Sequence, residues 1–283
     1  MTRLFGVIGS PIRHSLSPVM HTAALRALRC DALYAAFEVP KPFLRPVVRA
    51  LVLAGVEGLN VTVPLKEAVI PLMDRVDPTA AAIGAVNTIV IHKRRMIGYN
   101  TDGIGFVRAV TELGWRVGVT RAVVLGAGGA ARAVVWELTR HAGSEVTIAN
   151  RHVARAQRLA RWVKRHHPRA CVRAIPLDRV TLGEADLLVN ATTVGMQPSD
   201  RLLIDPKMLH RGLLVYDLVY HRETPLVRVA RRRGCVAACG LSMLLYQGAE
   251  SLRLWLKRSP PVEVMRRALQ YAVANDLSHL TQR

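Results

Sequence analysis

The chain has 283 residues and a mass of 31.2 kDa, is 51% hydrophobic with a mean hydropathy of +0.19, and can therefore fill one large core or two ordinary ones; disorder as the main state is excluded. Forty basic residues face 20 acidic ones, a formal charge of +20 that should draw anions. Lysine stands only at Lys41, Lys66, Lys93, Lys164, Lys207 and Lys257, so the other 34 cations are arginines scattered along the chain, a compositional bias more than a nucleic-acid arm.

From Leu4 to Ile91 short apolar runs alternate with helical patterns. They are Leu4–Ile8, Pro18–Leu28, Leu33–Val39, Pro42–Leu53, Gly58–Val63, Leu65–Met73 and Val86–Ile91. Strands alternating with helices of this length predict βαβ units and a mostly parallel sheet. A connecting helix is expected over Asn100–Leu113, where Asn100, Thr101 and Asp102 can cap orphan amides. The domain boundary is placed there. A second α/β series follows: strand Ala122–Leu125, helix Gly129–His141, strand Glu145–Ala149, helix Val153–His166, strands Val172–Ile175, Leu187–Asn190 and Leu213–Asp217, helix Pro225–Arg233 and strand Val236–Ala238. Two helices, Ser242–Leu256 and Val262–Ala274, close the chain and are expected to pack back on the first domain. The domains predicted are thus 1–102, 103–240 and the returning helices 241–283.

Four cysteines, Cys30, Cys171, Cys235 and Cys239, are too few for a disulfide framework, and Cys235 with Cys239 lacks two further ligands for zinc. The first residues carry Gly9, Pro11, Arg13 and His14 and have no apolar core of a secretory leader. No stretch reaches 18 uncharged apolar residues. The expectation is a cytoplasmic protein with no membrane partner. Trp115, Trp136, Trp162 and Trp255 are too dispersed in sequence for a base-stacking platform, so no nucleic-acid partner is expected.

The strongest local motif is Val123-Val124-Leu125-Gly126-Ala127-Gly128-Gly129-Ala130-Ala131, a glycine-rich turn between an apolar strand and a helical pattern. Gly126 permits the tight turn, Gly128 clears room for a pyrophosphate, and the small Ala131 lets helix and strand approach, with helix amides facing the phosphates. A purely structural turn is the plainer alternative. The next strand ends Ala149-Asn150-Arg151-His152 with Arg155 shortly after, where an NAD site would carry an acid for the ribose. Arginines there suit a 2′-phosphate, since guanidinium pairs bidentately with phosphate; the alternative is two more surface arginines.

Ser15 and Ser17 sit on the loop after the first strand, where two hydroxyls could hold a carboxylate, although Ser17 alone reads as a helix cap. Asn60-Val61-Thr62-Val63-Pro64-Leu65-Lys66 delivers a rare lysine to a strand's C-terminal end, where open α/β sheets bind ligands; a solvated lysine is the ordinary alternative. Gly84-Ala85-Val86-Asn87-Thr88 and Gly98-Tyr99-Asn100-Thr101-Asp102-Gly103 place amide, hydroxyl and carboxylate at turns, each ordinary when taken singly.

Together these segments, with Asn190-Ala191-Thr192-Thr193-Val194-Gly195-Met196, Asp217-Leu218-Val219-Tyr220 and Gly240-Leu241-Ser242-Met243-Leu244-Leu245-Tyr246-Gln247, closely resemble the shikimate dehydrogenase family over nearly the whole chain. The resemblance implies an α/β protein with an N-terminal substrate domain and a Rossmann-type doubly wound dinucleotide domain. It implies reversible NADP-linked interconversion of 3-dehydroshikimate and shikimate, a step of chorismate and aromatic amino-acid biosynthesis, in a monomer or homodimer. By matching positions, it assigns Lys66 as the catalytic lysine with Asp102 as its partner. Ser15 and Ser17 fall to the substrate carboxylate, and Thr62, Asn87, Asp102 and Gln247 to its hydroxyls. Tyr220 is a further substrate contact. Gly126, Ala127, Gly128, Gly129 and Ala130 hold the cofactor phosphates, Asn150, Arg151 and Arg155 clamp the adenosine phosphate, and Thr192, Gly240 and Met243 border the nicotinamide. His152 departs from the Thr or Ser usual in the family, which alters the hydrogen bonds open to that phosphate.

Overall fold

The computed structural model describes residues 2–116, 118–197 and 199–280, and the chain divides into two compact units, Met1–Gly105 with Leu244–Arg283, and Phe106–Met243. The first unit begins β1 (Arg3–Gly9), α1 (Ser17–Ala27), β2 (Ala32–Glu38), α2 (Leu44–Leu53) and β3 (Val56–Val61). It continues with β4 (Arg75–Val76), α3 (Pro78–Ile83), β5 (Thr88–His92) and β6 (Arg95–Tyr99). The strands form one six-stranded sheet, ordered β2-β1-β3-β5-β6-β4. β1 pairs parallel with β2 and β3, while β5 runs antiparallel to both β3 and β6, so the sheet is mixed. Its core is aliphatic, built on Ile8, Val39, Val48, Leu59, Leu65, Val69 and Ile89.

One expected helix fails here, and β6 and α3 go unread, each for a local reason. The helix expected over Leu65–Met73 is instead a series of turns with a short 3-10 turn at Ile70–Leu72. Pro71 lacks the amide that an α-helix would bond to Glu67, and its ring would clash with that carbonyl. The strand after Val86–Ile91 was not foreseen, because β5 and β6 are joined by Lys93 and Arg94, both at positive φ (48° and 64°). That two-residue turn is normally announced by Asn-Gly or Gly-Gly. The short α3 was also not foreseen, although its signals are visible: the Asp77 side chain accepts from the Thr79 amide at 3.0 Å, Pro78 opens the helix, and Gly84 closes it at φ 70°.

The boundary between units falls in α4 (Asp102–Glu112). The second unit then runs β7 (Arg121–Leu125), α5 (Gly129–Thr139), β8 (Glu145–Asn150), α6 (Val153–His166), β9 (Cys171–Pro176), β10 (Leu187–Asn190), β11 (Leu214–Asp217), α7 (Pro225–Arg232) and β12 (Val236–Cys239). All its pairings are parallel, in the order β12-β11-β10-β7-β8-β9. Counted from β7, this is the 3-2-1-4-5-6 order of a dinucleotide fold, with the switch point between β7 and β10. β7 is buried after its first residue, as a central parallel strand must be. α6 turns Ala156, Leu159, Ala160, Trp162 and Val163 inward at helical spacing. Trp136 and Trp162, distant in sequence, meet with ring centroids 5.5 Å apart.

The chain ends with α8 (Leu241–Leu256) and α9 (Val262–Leu280); α9 packs on α1 within the first unit. Trp255 on α8 donates to the Ile89 carbonyl at 2.9 Å and stacks on Phe5. No described helix is long and apolar enough to cross a membrane, and all four cysteines are free.

Candidate active site

In the first unit, sheet pairing brings three loop ends to one place. The Val86 amide bonds the Lys66 carbonyl at 2.8 Å, the Asn87 amide bonds the Tyr99 carbonyl at 3.0 Å, and the Val61 amide bonds the Asn87 carbonyl at 2.8 Å. Lys66, Asn87 and Asp102, spread over 36 residues, therefore share one corner. Lys66 Nζ lies 2.6 Å from Asp102 Oδ2, with the side chains only 15% and 5% exposed. Asn87 Nδ2 donates to the other carboxylate oxygen at 2.8 Å. The Asp102 amide is capped by Asn100 Oδ1 at 3.1 Å, so Asn100 performs the capping role expected at the start of this helix.

Donor counting fixes the Asn87 amide. The Thr101 backbone N–H, which can only donate, reaches Asn87 Oδ1 at 2.8 Å. Nδ2 must therefore face Asp102, and it also reaches Gln247 Oε1 at 3.3 Å. Gln247 comes from α8 and anchors its own amide on the Leu244 carbonyl at 2.9 Å. Beneath this layer lies a second that the sequence reading missed. Asn60 Nδ2 donates to Ser251 Oγ at 2.9 Å, Thr88 Oγ1 lies 2.7 Å from the same hydroxyl, and Ser251 donates to the Gln247 carbonyl at 3.0 Å. The Tyr34 hydroxyl completes it by donating to Asn60 Oδ1 at 2.8 Å. Ser251 follows Gln247 by four residues and so shares its helix face, a signal that periodicity offers.

Ser15 lies on the loop after β1, Ser17 opens α1 and Thr62 follows β3; the Ser10 and Thr62 amides bond the carbonyls of Val63 and Ile8 at 3.1 and 2.9 Å and tie the two strand ends together. The capping reading of Ser17 is corrected. Ser17 is the first residue of α1, and Ser15 Oγ accepts the Ser17 amide at 3.3 Å.

In the second unit, Gly126 follows β7 at φ +108°, and a Cβ there would sit 2.9 Å from the Ala191 carbonyl oxygen after β10. Both steric and dihedral reasons therefore require glycine at the switch point. Gly128 precedes α5 with no side-chain cap, and a Cβ on it would meet nothing within 4 Å, so the first amides of α5 keep open space in front of them. Gly129 and Ala130 continue the turn into that helix. Asn150 ends β8 and donates to the His152 carbonyl at 2.9 Å, while Arg151, His152 and Arg155 are exposed beside it. Thr192 is held twice by Asn190 Oδ1, through its hydroxyl at 2.7 Å and its amide at 3.1 Å. Asn190 in turn donates to buried Asp217 at 2.9 Å; Asp217 also accepts from Thr224 Oγ1 and the Val219 amide, and burial raises its pKa against those bonds. Gly240 has no room for a side chain against the Leu218 backbone, the Met243 amide donates to the Tyr216 hydroxyl at 3.1 Å, and Tyr220 packs edge-on to His221.

Residues 7–89 match the family model of the shikimate dehydrogenase substrate binding domain, residues 109–212 that of shikimate / quinate 5-dehydrogenase, and residues 240–270 that of the shikimate 5′-dehydrogenase C-terminal domain. A shikimate dehydrogenase (NADP(+)) of Methanopyrus kandleri is 45% identical over 95% of both chains. The chain belongs to the shikimate dehydrogenase family. Among solved structures, a shikimate dehydrogenase in complex with NADP+ superimposes with a TM-score of 0.90 at 37% identity, covering 96% of each chain. The Thermus thermophilus shikimate 5-dehydrogenase in complex with NADP(H) and shikimate gives 0.86 at 38% identity, covering 96% of this chain and all of that one. The family resemblance is thus spread across both units.

Proposed function

We propose that this member of the family is an NADP-dependent oxidoreductase that interconverts 3-dehydroshikimate and shikimate, a step in chorismate and aromatic amino-acid biosynthesis. The observation that carries the reading is the Lys66–Asp102 pair at 2.6 Å, locked by Asn87, because a protein that only bound a ligand would have no need of a held proton carrier. The second unit fits the cofactor: open amides at the start of α5, a glycine turn at the switch point, and exposed arginines where an NAD site carries an acid. NADP, when bound, supplies or accepts the hydride.

Lys66 exchanges the proton at the substrate's carbonyl oxygen as the alcohol forms or is oxidised, a task for an ammonium and not for a guanidinium, which holds its protons. Asp102 keeps that ammonium in place by a charge-assisted bond. Ser15 and Ser17 hold the substrate carboxylate, and Thr62, Asn87, Gln247 and Tyr220 hold its hydroxyls. Gly126, Ala127, Gly128, Gly129 and Ala130 cradle the phosphates, Asn150, Arg151 and Arg155 receive the 2′-phosphate, and Thr192, Gly240 and Met243 flank the nicotinamide. The four free thiols accord with a cytoplasmic site of action, and the reading requires no residue from a second chain, whether the protein is a monomer or a homodimer.

The test is a spectrophotometric assay at 340 nm that crosses shikimate or quinate with NADP or NAD. Turnover of shikimate with NADP is expected to be fastest; absence of any NADP-linked oxidation of shikimate would sink the reading. Arg151→Ala is expected to raise the NADP KM at least tenfold, from roughly 1.5–3 kcal/mol for one lost charge-assisted bond, and to leave the NAD KM nearly unchanged. Equal damage with both cofactors would make Arg151 a structural residue.

A further inference from the structure

The exposed face of α6 is densely cationic. It carries Arg155, Arg158, Arg161, Lys164 and Arg165 and has no acidic residue, and Arg151 precedes it at the end of β8. Among the described residues none of these cations has an ion-pair partner, whereas Arg228 and Arg231 of α7 meet Glu223, Arg253 of α8 meets Glu250 and Arg266 of α9 meets Glu263. Arg155, Arg158, Arg161 and Arg165 recur at three- and four-residue spacing, so they lie along one side of the helix and repel one another. Arg155 stands in the first turn, where the helix dipole disfavours positive charge, while Lys164 and Arg165 stand in the last turn, where it favours it. Among the described residues no carboxylate offsets the repulsion along the stripe.

Its position gives it a use. The stripe starts beside Asn150 and Arg151 at the C-terminal end of a strand, where an open α/β sheet receives its ligand, and extends from Arg155 to Arg165 over about 15 Å at the helical rise. Arg165, about 15 Å beyond Arg155, is thus out of direct contact with a phosphate held at Arg151 and acts on it only through the summed field of the stripe, which is strong at low ionic strength and largely screened in physiological salt.

We propose that this face of α6 is a capture surface that draws the 2′-phosphate end of NADP(H) toward Arg151, so that Arg158, Arg161 and Arg165 favour NADP(H) over NAD(H) through the association rate without touching the bound cofactor. The proposal rests on the cofactor reading above. Rim charges that act at a distance change association and its salt dependence, while contacts change dissociation.

The experiment is stopped-flow binding of NADPH and of NADH to the full chain, wild type against the triple variant Arg158→Glu, Arg161→Glu, Arg165→Glu. A neutral triple variant with Gln at the same positions keeps good helix formers if the reversal unfolds α6, which circular dichroism reports. At low ionic strength the NADPH association rate constant is expected to fall about tenfold in the Glu variant and less in the Gln variant. The difference should vanish toward about 0.5 M salt, with dissociation unchanged and a smaller fall for NADH. An unchanged NADPH association rate, an equal fall for NADH, or a faster dissociation at unchanged association would overturn the proposal. So would loss of tRNA binding in the variants with NADPH association intact, which would give the face to nucleic acid. Failure of the wild type to bind NADPH would instead overturn the cofactor reading itself.

Discussion

Lys66→Met is expected to lower kcat by about 10²–10⁴, the usual loss for a removed general acid–base, with a smaller change in the shikimate KM. The reason is in the geometry. Lys66 Nζ is fixed at 2.6 Å from Asp102, whose other oxygen accepts from Asn87, so the substitution removes the one ammonium that this pair positions while leaving its carboxylate and amide partners in place. The carboxylate contacts proposed for Ser15 and Ser17 survive the substitution, which protects KM. Asp102→Asn should also be severe, since it removes the charge that holds the ammonium. Because the two act as one unit, the double variant should be little worse in kcat than the poorer single. Stability gives a second reading of the same cycle. Each single variant leaves one member of a largely buried pair without its counter-charge, which costs up to about 3–5 kcal/mol when burial is complete and less here because Lys66 is 15% exposed. The double variant leaves no net charge behind and should recover part of that loss. Multiplicative losses in kcat would mean independent roles. A raised KM with unchanged kcat in Lys66→Met would make the lysine a binding group and move attention to Tyr220.

The sequence made some of this visible and hid the rest for definite reasons. The second unit was legible almost strand by strand, because a fully parallel sheet demands continuous apolar runs and regular helical crossovers, and β7 with the Gly126 turn provides both. The first unit was legible through β3, again at β5 and in the closing helices, but not at β4, α3 and β6. Beyond β3 the antiparallel β5–β6 pair turns on Lys93 and Arg94, residues that carry no turn signature. In the site, Lys66, Asn87 and Asp102 were visible as polar residues at turns, but each taken alone was indistinguishable from an ordinary turn residue. Their meeting depends on β3, β5 and β6 being neighbours, the pairing that periodicity did not reveal. The layer of Asn60, Thr88 and Ser251 beneath them was hidden for the opposite reason: these are buried polar residues on regular elements, and although the four-residue spacing puts Ser251 on the face of Gln247, no strand or helix pattern says which polar residue has found partners.

Acid should destabilise the fold well above the pH at which carboxylates titrate, and His21 should be the cause. His21 lies on the inner side of α1, fully buried, its ring stacked on Tyr34 at 4.4 Å and close to Trp255 at 5.4 Å. Neither ring nitrogen has a hydrogen-bond partner among the described residues. Burial pushes its pKa down to about 3, and the nearby Asn60 amide offsets this only in part. In the unfolded chain a histidine takes its proton near pH 6.5. Below that pH the unfolded state binds one more proton than the native state, so stability falls as pH drops from about 6.5 and stops falling only near pH 3. One proton over that interval corresponds to about 4–5 kcal/mol, at roughly 1.4 kcal/mol per pH unit. Other groups act in both proteins alike. His167, less buried and held down by desolvation, His166 and Arg140, adds a smaller slope of the same sign; Asp186 and Asp200, whose pKa values are lowered, lose their contribution only below the ordinary carboxylate range; Asp217, whose pKa is raised by burial, acts in the opposite sense from that range upward, so the comparison with a His21 variant isolates the histidine. The diagnostic interval is therefore about pH 6 to 4.5. Urea denaturation across it should show stability falling more steeply in the wild type than in His21→Leu, the difference being roughly one proton's worth per pH unit, whatever constant offset repacking against Tyr34 introduces. Equal slopes in the two proteins, or an imidazole resonance of His21 that titrates near pH 6.5 in the folded protein, would show that this buried ring does not set the acid limit of the fold.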